Sequence, residues 1–505
     1  MSRLRCAGWI FAAHVICGAL LLSPGWIRPD SVATYAYVQS MVKDGDLSFF
    51  NEWRQYGMIL NGVTYFSEVT PVGALANHWW IGTSILAAPF YVIGIRFVAD
   101  DAALFGWTSV LFAAAALSIA CLLLRTHRRM AIIATSLGTP LFWYTFRFPL
   151  GTHAAGALCV ALIFAALFLT ESGALTGLTA GLAIATRLQH FVLLPAIVIV
   201  GIVQRRRGKW WLSAVGAGAL PLVAQGIAWY AIYGTPFGPL TRGANLQGVT
   251  WMPFQHIALW QVLFSSYHGL FAWSPVAAIA IIGWIAALRR DRDLALACIL
   301  MFLGEWIANG TLDRYFWGGM SFGGRRFVDL ALPFALGIAW FAERIRTWVA
   351  VVILTPLVAW SVALMLAAYA GTISLARYVS GADLLAGIAR INFSTPLHAS
   401  TNWKALVVVA IVAALLWPLR RLAVAYVALF VVCVAICAWR TPAAAADARA
   451  RIDVRKSMRF GPLVDERRLL QDEVDWARAT GDVARANATS REIAAIDRLL
   501  AELNR

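Results

Sequence analysis

The stretch Cys6-Ala7-Gly8-Trp9-Ile10-Phe11-Ala12-Ala13-His14-Val15-Ile16-Cys17-Gly18-Ala19-Leu20-Leu21-Leu22-Ser23-Pro24-Gly25-Trp26, followed by Ile27-Arg28-Pro29-Asp30-Ser31-Val32-Ala33-Thr34-Tyr35, decides the fold. About twenty apolar residues are long enough to cross a bilayer core. Arg3 and Arg5 precede them, and no small-x-small cleavage site comes before Pro24, so this reads as an uncleaved first span with a cytoplasmic N-terminus. Asp30 then stands just beyond the membrane edge, and the chain stays polar for dozens of residues. A titratable group fixed there is the natural starting point for chemistry in an otherwise apolar chain.

Composition agrees. The 505 residues are 60% hydrophobic and 13% charged, and mean hydropathy is +0.70. Soluble domains carry about a quarter charged residues, so the expectation is an all-α polytopic membrane protein. The net charge of +16 is not spread as a nucleic-acid patch would be, but falls into short clusters that each follow an apolar run. With those clusters inside, spans are expected at about 7–27, 104–124, 130–148, 152–170, 174–187, 188–203, 211–233, 269–288, 294–312, 328–343, 347–371, 404–419 and 421–438. That ladder of about 13 transmembrane helices places a long first loop, 28–103, and the C-terminus on the far side of the membrane. Within the loop, Trp79 to Val98 would invert every later cluster if it crossed, so it is expected as a surface-lying or re-entrant helix. The stretch after Asp30 is expected as an amphipathic helix lying on the bilayer.

The seven cysteines all fall inside predicted spans, which argues against a disulfide framework. Cys433 and Cys437 share a helix face without a third ligand near them, and read as packing residues. No metal site is expected from ligand spacing. Two domains are expected: a membrane domain, 1–439, and a soluble helical hairpin, 440–505. The latter holds 24 of the chain's 68 charged residues and an apolar stripe at Ile493, Ile496, Leu500 and Leu503. That stripe would pack on the hairpin itself, on the membrane domain, on a protein partner or on a second copy.

The loops on the far side gather cations against the positive-inside tendency: Arg147, Arg187, Arg242 and, above all, Asp313-Arg314-Tyr315-Phe316-Trp317-Gly318-Gly319-Met320-Ser321-Phe322-Gly323-Gly324-Arg325-Arg326-Phe327. Arginine forks match phosphate oxygens, and glycines let backbone amides approach the same atoms. The plainer readings are that these arginines snorkel or pair with Asp313 or Asp329, and that Asp30 caps its helix. Glu305, in the ninth span, is expected protonated and hydrogen-bonded to a neighbouring helix; His14 is expected to be structural.

The first span followed at once by an acidic residue, the long loop with surface helices, and locally Pro29-Asp30 with Tyr35, Gly45-Asp46, Tyr65-Phe66 through Pro71, and Gly181-Leu182-Ala183 through Arg187, resemble the GT-C superfamily of membrane glycosyltransferases. Its bacterial members include the lipid A aminoarabinose transferase and relatives of the protein mannosyltransferases. The resemblance implies a GT-C-like fold in the bacterial inner membrane and an inverting sugar transfer from a polyprenyl-phosphate donor to a lipid, glycan or protein acceptor on the periplasmic face. Asp30 would be the catalytic base, with Arg325, Arg326, Arg314 and Arg187 on the phosphate and His153, Glu68 and Tyr35 orienting acceptor or sugar. Asp30-Ser31 stands where many relatives have two acids, and Val69-Thr70-Pro71 lacks their basic residue, which leaves divalent-metal use open. A transporter or flippase for a lipid-linked glycan, or a glycan polymerase or ligase, are the alternatives.

Overall fold

In the computed structural model, residues 3–23, 29–56, 69–239, 254, 257–312, 315–391, 403–416, 422–449, 467–468 and 470–503 are described. Among them the regular structure is helical, as hydrocarbon demands of a chain that must satisfy its backbone internally. Six helices are long and apolar enough to cross a membrane: Asp101–Leu123, His153–Thr170, Gly208–Tyr233, Arg292–Thr311, Thr347–Tyr369 and Ala423–Pro442. Shorter apolar helices, such as Gly173–Thr186 and Val276–Ala287, pack between them. The chain is a multi-pass membrane protein.

The elements that position the site are α1 (Arg3–Leu21), α2 (Pro29–Lys43), α3 (Gly82–Gly94), α4 (Asp101–Leu123), α5 (His153–Ala165), α6 (Gly173–Thr186), α7 (Gly208–Tyr233), α8 (Val276–Ala287), α9 (Arg292–Thr311), α10 (Ala331–Ala342) and α11 (Ala423–Arg449). Helix contacts are set by small residues. On α6, Gly173, Gly177 and Gly181 lie one turn apart, and a methyl group on Gly177 would sit 1.8 Å from the Ala214 carbonyl oxygen of α7. Gly283 of α8 meets the Gly337 carbonyl of α10 in the same way. With no hydrophobic drive between helices in lipid, such backbone approach is what holds spans together.

Four expectations are corrected. The helix that begins at Pro29 forms, but does not lie on a surface: Ser31 through Ser40 are all buried. It is clamped by Asn77, which donates to the Ala33 carbonyl (3.0 Å), by Ser84, which donates to the Thr34 carbonyl (2.8 Å), and by Gln39 and Lys43, which both donate to Asp101 of α4. Of the two readings of the 79–98 segment, only the surface-lying one is overturned, and the re-entrant one stands. Trp79, Trp80, Ile85 and Tyr91 are buried, and Gly82 packs on the backbone at Ala185 and Thr186. Cys6 of α1 and Cys121 of α4 are paired as a disulfide, because these two helices pack side by side, which apolar periodicity does not reveal. Finally, the 439/440 boundary falls inside α11, whose Thr441 is buried and accepts the Leu47 amide (3.0 Å), so the membrane helix continues past the change in composition.

The basic clusters meet at one end of the bundle, where Arg125 pairs with Asp291 (2.9 Å) and Arg290 with Glu343 (3.0 Å). Lys43 and Asp101, at the start of α4, lie a helix length away, about 35 Å. Beyond Gly481, at φ +78°, the tail folds back as a hairpin of 470–479 against α12 (Val483–Leu503). Leu470 and Val474 pack with Ile493, Ile496 and Leu500, so the stripe is used within the hairpin. Trp476, on the other face, is buried against Phe316 (5.3 Å) and Trp317 (6.3 Å), with Arg485 over its ring.

Candidate functional site

Asp30 lies in the first turn of α2, and its main-chain carbonyl accepts the Thr34 hydroxyl (2.6 Å). The carboxylate faces Arg325: Oδ2 to Nη1 is 3.7 Å, with 46% of the Asp30 side chain and 23% of the Arg325 side chain exposed. Beyond hydrogen-bonding distance and open to water, this is a loose pair, easily opened by a third group. The first span and the glycine-rich loop, far apart in sequence, thus bring an acid and a guanidinium to the same spot.

Arg325 opens a 3₁₀ turn, Arg325–Leu330, that leads into α10, and the rest of that turn, from Arg326 to Leu330, is buried. Asp329 accepts Arg187 Nη1 (2.8 Å) and His190 Nε2 (2.7 Å) on one oxygen, with no exposed surface of its own. Gly156 of α5 makes room for that carboxylate, since a methyl group there would stand 2.5 Å from Asp329 Oδ1. Arg187 also contacts His153 Nδ1 (3.0 Å) and donates to Gln189 (2.9 Å). Gln189 in turn donates to Glu305 (3.1 Å), and Asn309 reaches the same Glu305 oxygen (3.4 Å). Arg326, almost fully buried, donates to Asn309 Oδ1 (3.3 Å). Burial and then the Arg187 charge pull the Arg326 guanidinium down to about 10, with Glu305 opposing. Two arginines this close are a place where an added anion is stabilised.

The sequence-predicted residues therefore sort into groups. Asp30 and Arg325 come together, while Arg326, next in the chain to Arg325, lies buried with its guanidinium on Asn309. Arg187 is turned inward, its guanidinium engaged by Asp329, His153 and Gln189, because it caps the break after α6 rather than lying in an open loop. His153 is buried with it, against the Tyr144 ring (4.1 Å). Tyr35 is corrected as an orienting residue: buried, stacked on Phe105 (3.9 Å) and bonded to Ser109 (3.3 Å), it lies on the core face of α2. Glu305 has the hydrogen-bonded partners expected of it, and His14 contacts its own helix at the Ile10 carbonyl (2.9 Å). Glu68, Arg314 and Arg242 lie outside the described residues. Among the described residues no three His, Cys, Asp or Glu side chains cluster to hold a metal.

Sequence reading offered Asp329 as a partner for the loop arginines, whereas it pairs with Arg187 and His190, and it missed Gln189 and His190, whose importance is purely spatial. It also missed His268, in the turn before the expected span at 269–288. His268 is a non-glycine residue at φ +64°, an uncommon conformation that marks a position worth explaining.

No protein-family model matches the chain, and no curated protein matches it. Among solved structures, similarity is found to ArnT from Cupriavidus metallidurans bound to undecaprenyl phosphate, at 14% identity and a TM-score of 0.46, covering 93% of this chain and 80% of that one. The apo state of the same protein gives 15% identity and a TM-score of 0.42, covering 92% and 80%. Identity this low assigns no residue role in this chain.

Proposed function

We propose that this protein is an inverting glycosyltransferase of the bacterial inner membrane, moving a sugar from a polyprenyl-phosphate donor to an acceptor hydroxyl at the periplasmic face. The reading is carried by one observation, the half-exposed Asp30 carboxylate opposite Arg325, backed by the buried Arg326. In the reaction the donor phosphate takes Arg325, freeing Asp30. The Asp30 carboxylate accepts the proton of the acceptor hydroxyl as that oxygen attacks the anomeric carbon from the face opposite the phosphate. The bond between the anomeric carbon and the phosphate oxygen breaks, its electron pair leaves on the polyprenyl phosphate, and Arg325 and Arg326 stabilise the charge. Arg187, His153 and Asp329 act at one remove by holding the turn that presents Arg325.

A transporter would use Glu305 as its proton carrier. Here one oxygen of that carboxyl is held by Gln189 and Asn309, which favours a static role. The test uses membranes containing the protein and a panel of polyprenyl-phosphate sugars. Turnover is expected with one of them, and Asp30→Asn at equal expression lowers it by about 10²–10⁴-fold, the usual worth of a general base. Transfer retained in Asp30→Asn overturns the proposal.

A further inference from the structure

Arg325 lines a narrow cleft of about 10 Å³, room for a single water-sized group such as one phosphate oxygen, together with His268, Asn309, Gly318, Gly323 and Arg326. His268 is 3% exposed, and neither ring nitrogen makes a hydrogen bond. That is unusual both in general and in this protein, where buried His14, His153 and His190 each have a polar contact. The ring is wedged between Tyr267 (4.8 Å) and Trp273 (5.0 Å). Its left-handed backbone is held by a tied turn, in which Ser265 accepts the Gly269 amide (2.9 Å) and the Trp273 indole donates to the Ser266 carbonyl (2.8 Å). A strained residue kept in place by its surroundings, with a polar ring that makes no well-formed hydrogen bond inside the protein, is a candidate for ligand contact.

The other wall points the same way. Arg325 Nε is buried without a partner, and a methyl group on Gly318 would stand 3.0 Å from that nitrogen. Gly318 and Gly323 have φ of +74° and +57°, so a side chain there would both strain the loop and fill the cleft. The cleft thus offers donors from two sides and no carboxylate among its described lining residues, the chemistry of an anion site.

We infer that His268 donates a hydrogen bond to a phosphate oxygen of the lipid-linked donor, completing with Arg325 and Arg326 a seat for a polyprenyl phosphate ester. This rests on the donor proposed above and adds a residue to it. Burial, and then the Arg325 charge, hold the imidazole down to about 3 against a weak contact with the Leu375 main chain, so the ring is neutral and adds a donor without adding a third cation.

The test is ligand binding without transfer. Purified full-length protein in detergent is titrated with farnesyl phosphate, farnesol and inorganic phosphate, and affinities are compared for wild type, His268→Ala, His268→Asn, Arg325→Ala and Asp30→Asn. His268→Ala is expected to weaken farnesyl phosphate about tenfold, the worth of one hydrogen bond to a charged group, and to leave farnesol unchanged. His268→Asn, which keeps an N–H donor and tolerates the left-handed backbone, loses no more than about threefold. Should His268→Ala not yield monodisperse protein, His268→Gly removes the same donor while relaxing the backbone. Affinity within twofold of wild type in the donor-less variant overturns the role of His268 alone, provided Arg325→Ala still weakens binding. Farnesyl phosphate bound no better than farnesol, or indifferent to Arg325→Ala, overturns the phosphate-donor reading itself. Inorganic phosphate bound as tightly as farnesyl phosphate overturns the lipid ester as the ligand.

Discussion

Asp329→Ala is expected to be among the most damaging single substitutions in the protein. The Asp329 carboxylate has no exposed surface and accepts two short bonds, 2.8 Å from Arg187 and 2.7 Å from His190. The Arg187 side chain is only 9% exposed, so water does not replace what the alanine removes. Breaking a buried pair by removing one partner costs about 3–5 kcal/mol, because the other charge stays buried and uncompensated. Asp329→Asn keeps the volume beside Gly156 and one acceptor oxygen, and should cost about half as much. In the double variant Arg187→Met with Asp329→Asn neither charge remains, so its cost should fall below the sum of the two singles. The measurement is heat denaturation of purified protein in one detergent, with Leu385→Ala, at an exposed position, as the control. An Asp329→Ala protein no less stable than the Leu385→Ala control, or a double variant at or beyond the sum, would refute this account of the network. Because Asp329 closes the turn that begins at Arg325, the alanine variant should also lose affinity for a polyprenyl phosphate.

Three further outcomes are expected from the packing. Gly177→Val drives a side chain into the α7 backbone at Ala214, which cannot yield as a flexible side chain would; a cost of about 3 kcal/mol is expected, read as loss of monodisperse protein, and normal yield and melting would count against the helix contact. Glu52, buried in the first loop, has its carboxyl pushed up to about 8, chiefly by burial. The folded state therefore holds a proton that the unfolded chain has released, so stability is greatest below about pH 4.5 and falls as pH rises to about 8; Glu52→Gln should flatten that slope in melts across this window, and an unchanged slope argues against it. Trp476→Ala empties the contact with Phe316 and Trp317, and limited proteolysis should then cut the tail hairpin while the membrane helices stay intact; unaltered resistance would show that the ring does not hold the tail.

Much of the fold was legible because hydropathy is a one-dimensional signal. The helix after Asp30, the break at Arg187 between two short spans, and the spans near 153, 208, 292 and 347 all fall where apolar length and basic ends put them. The meeting of Asp30 with Arg325 was legible for the same reason, since the ladder placed both on one side. Direction around a helix was less so. Tyr35 was read with Asp30 on the family resemblance, yet five residues on it faces Phe105 and Ser109. Partner choice was invisible: nothing in Gln189 or Asp329 announces that they share a network with Glu305 and Arg187, and nothing in Cys6 names Cys121. Two signals were present and unread. The four-residue spacing of Gly173, Gly177 and Gly181 marks a close helix contact, and a lone histidine before Gly269, between apolar helices, marks a turn with chemistry in it.

The seat of Trp476 on Phe316 and Trp317 bears on how the protein is born. Ribosomes add Asp30 early, the glycine-rich loop much later, and Trp476 only after every helix of the bundle has been made. Until then the loop that carries Arg325 is held only from the membrane side, by Tyr267 on Trp317 (5.2 Å) and Trp143 on Phe322 (4.9 Å). A premature stop codon ahead of Trp476 would release a chain whose loop lacks its second aromatic wall, so the tail works as a closing signature on that loop.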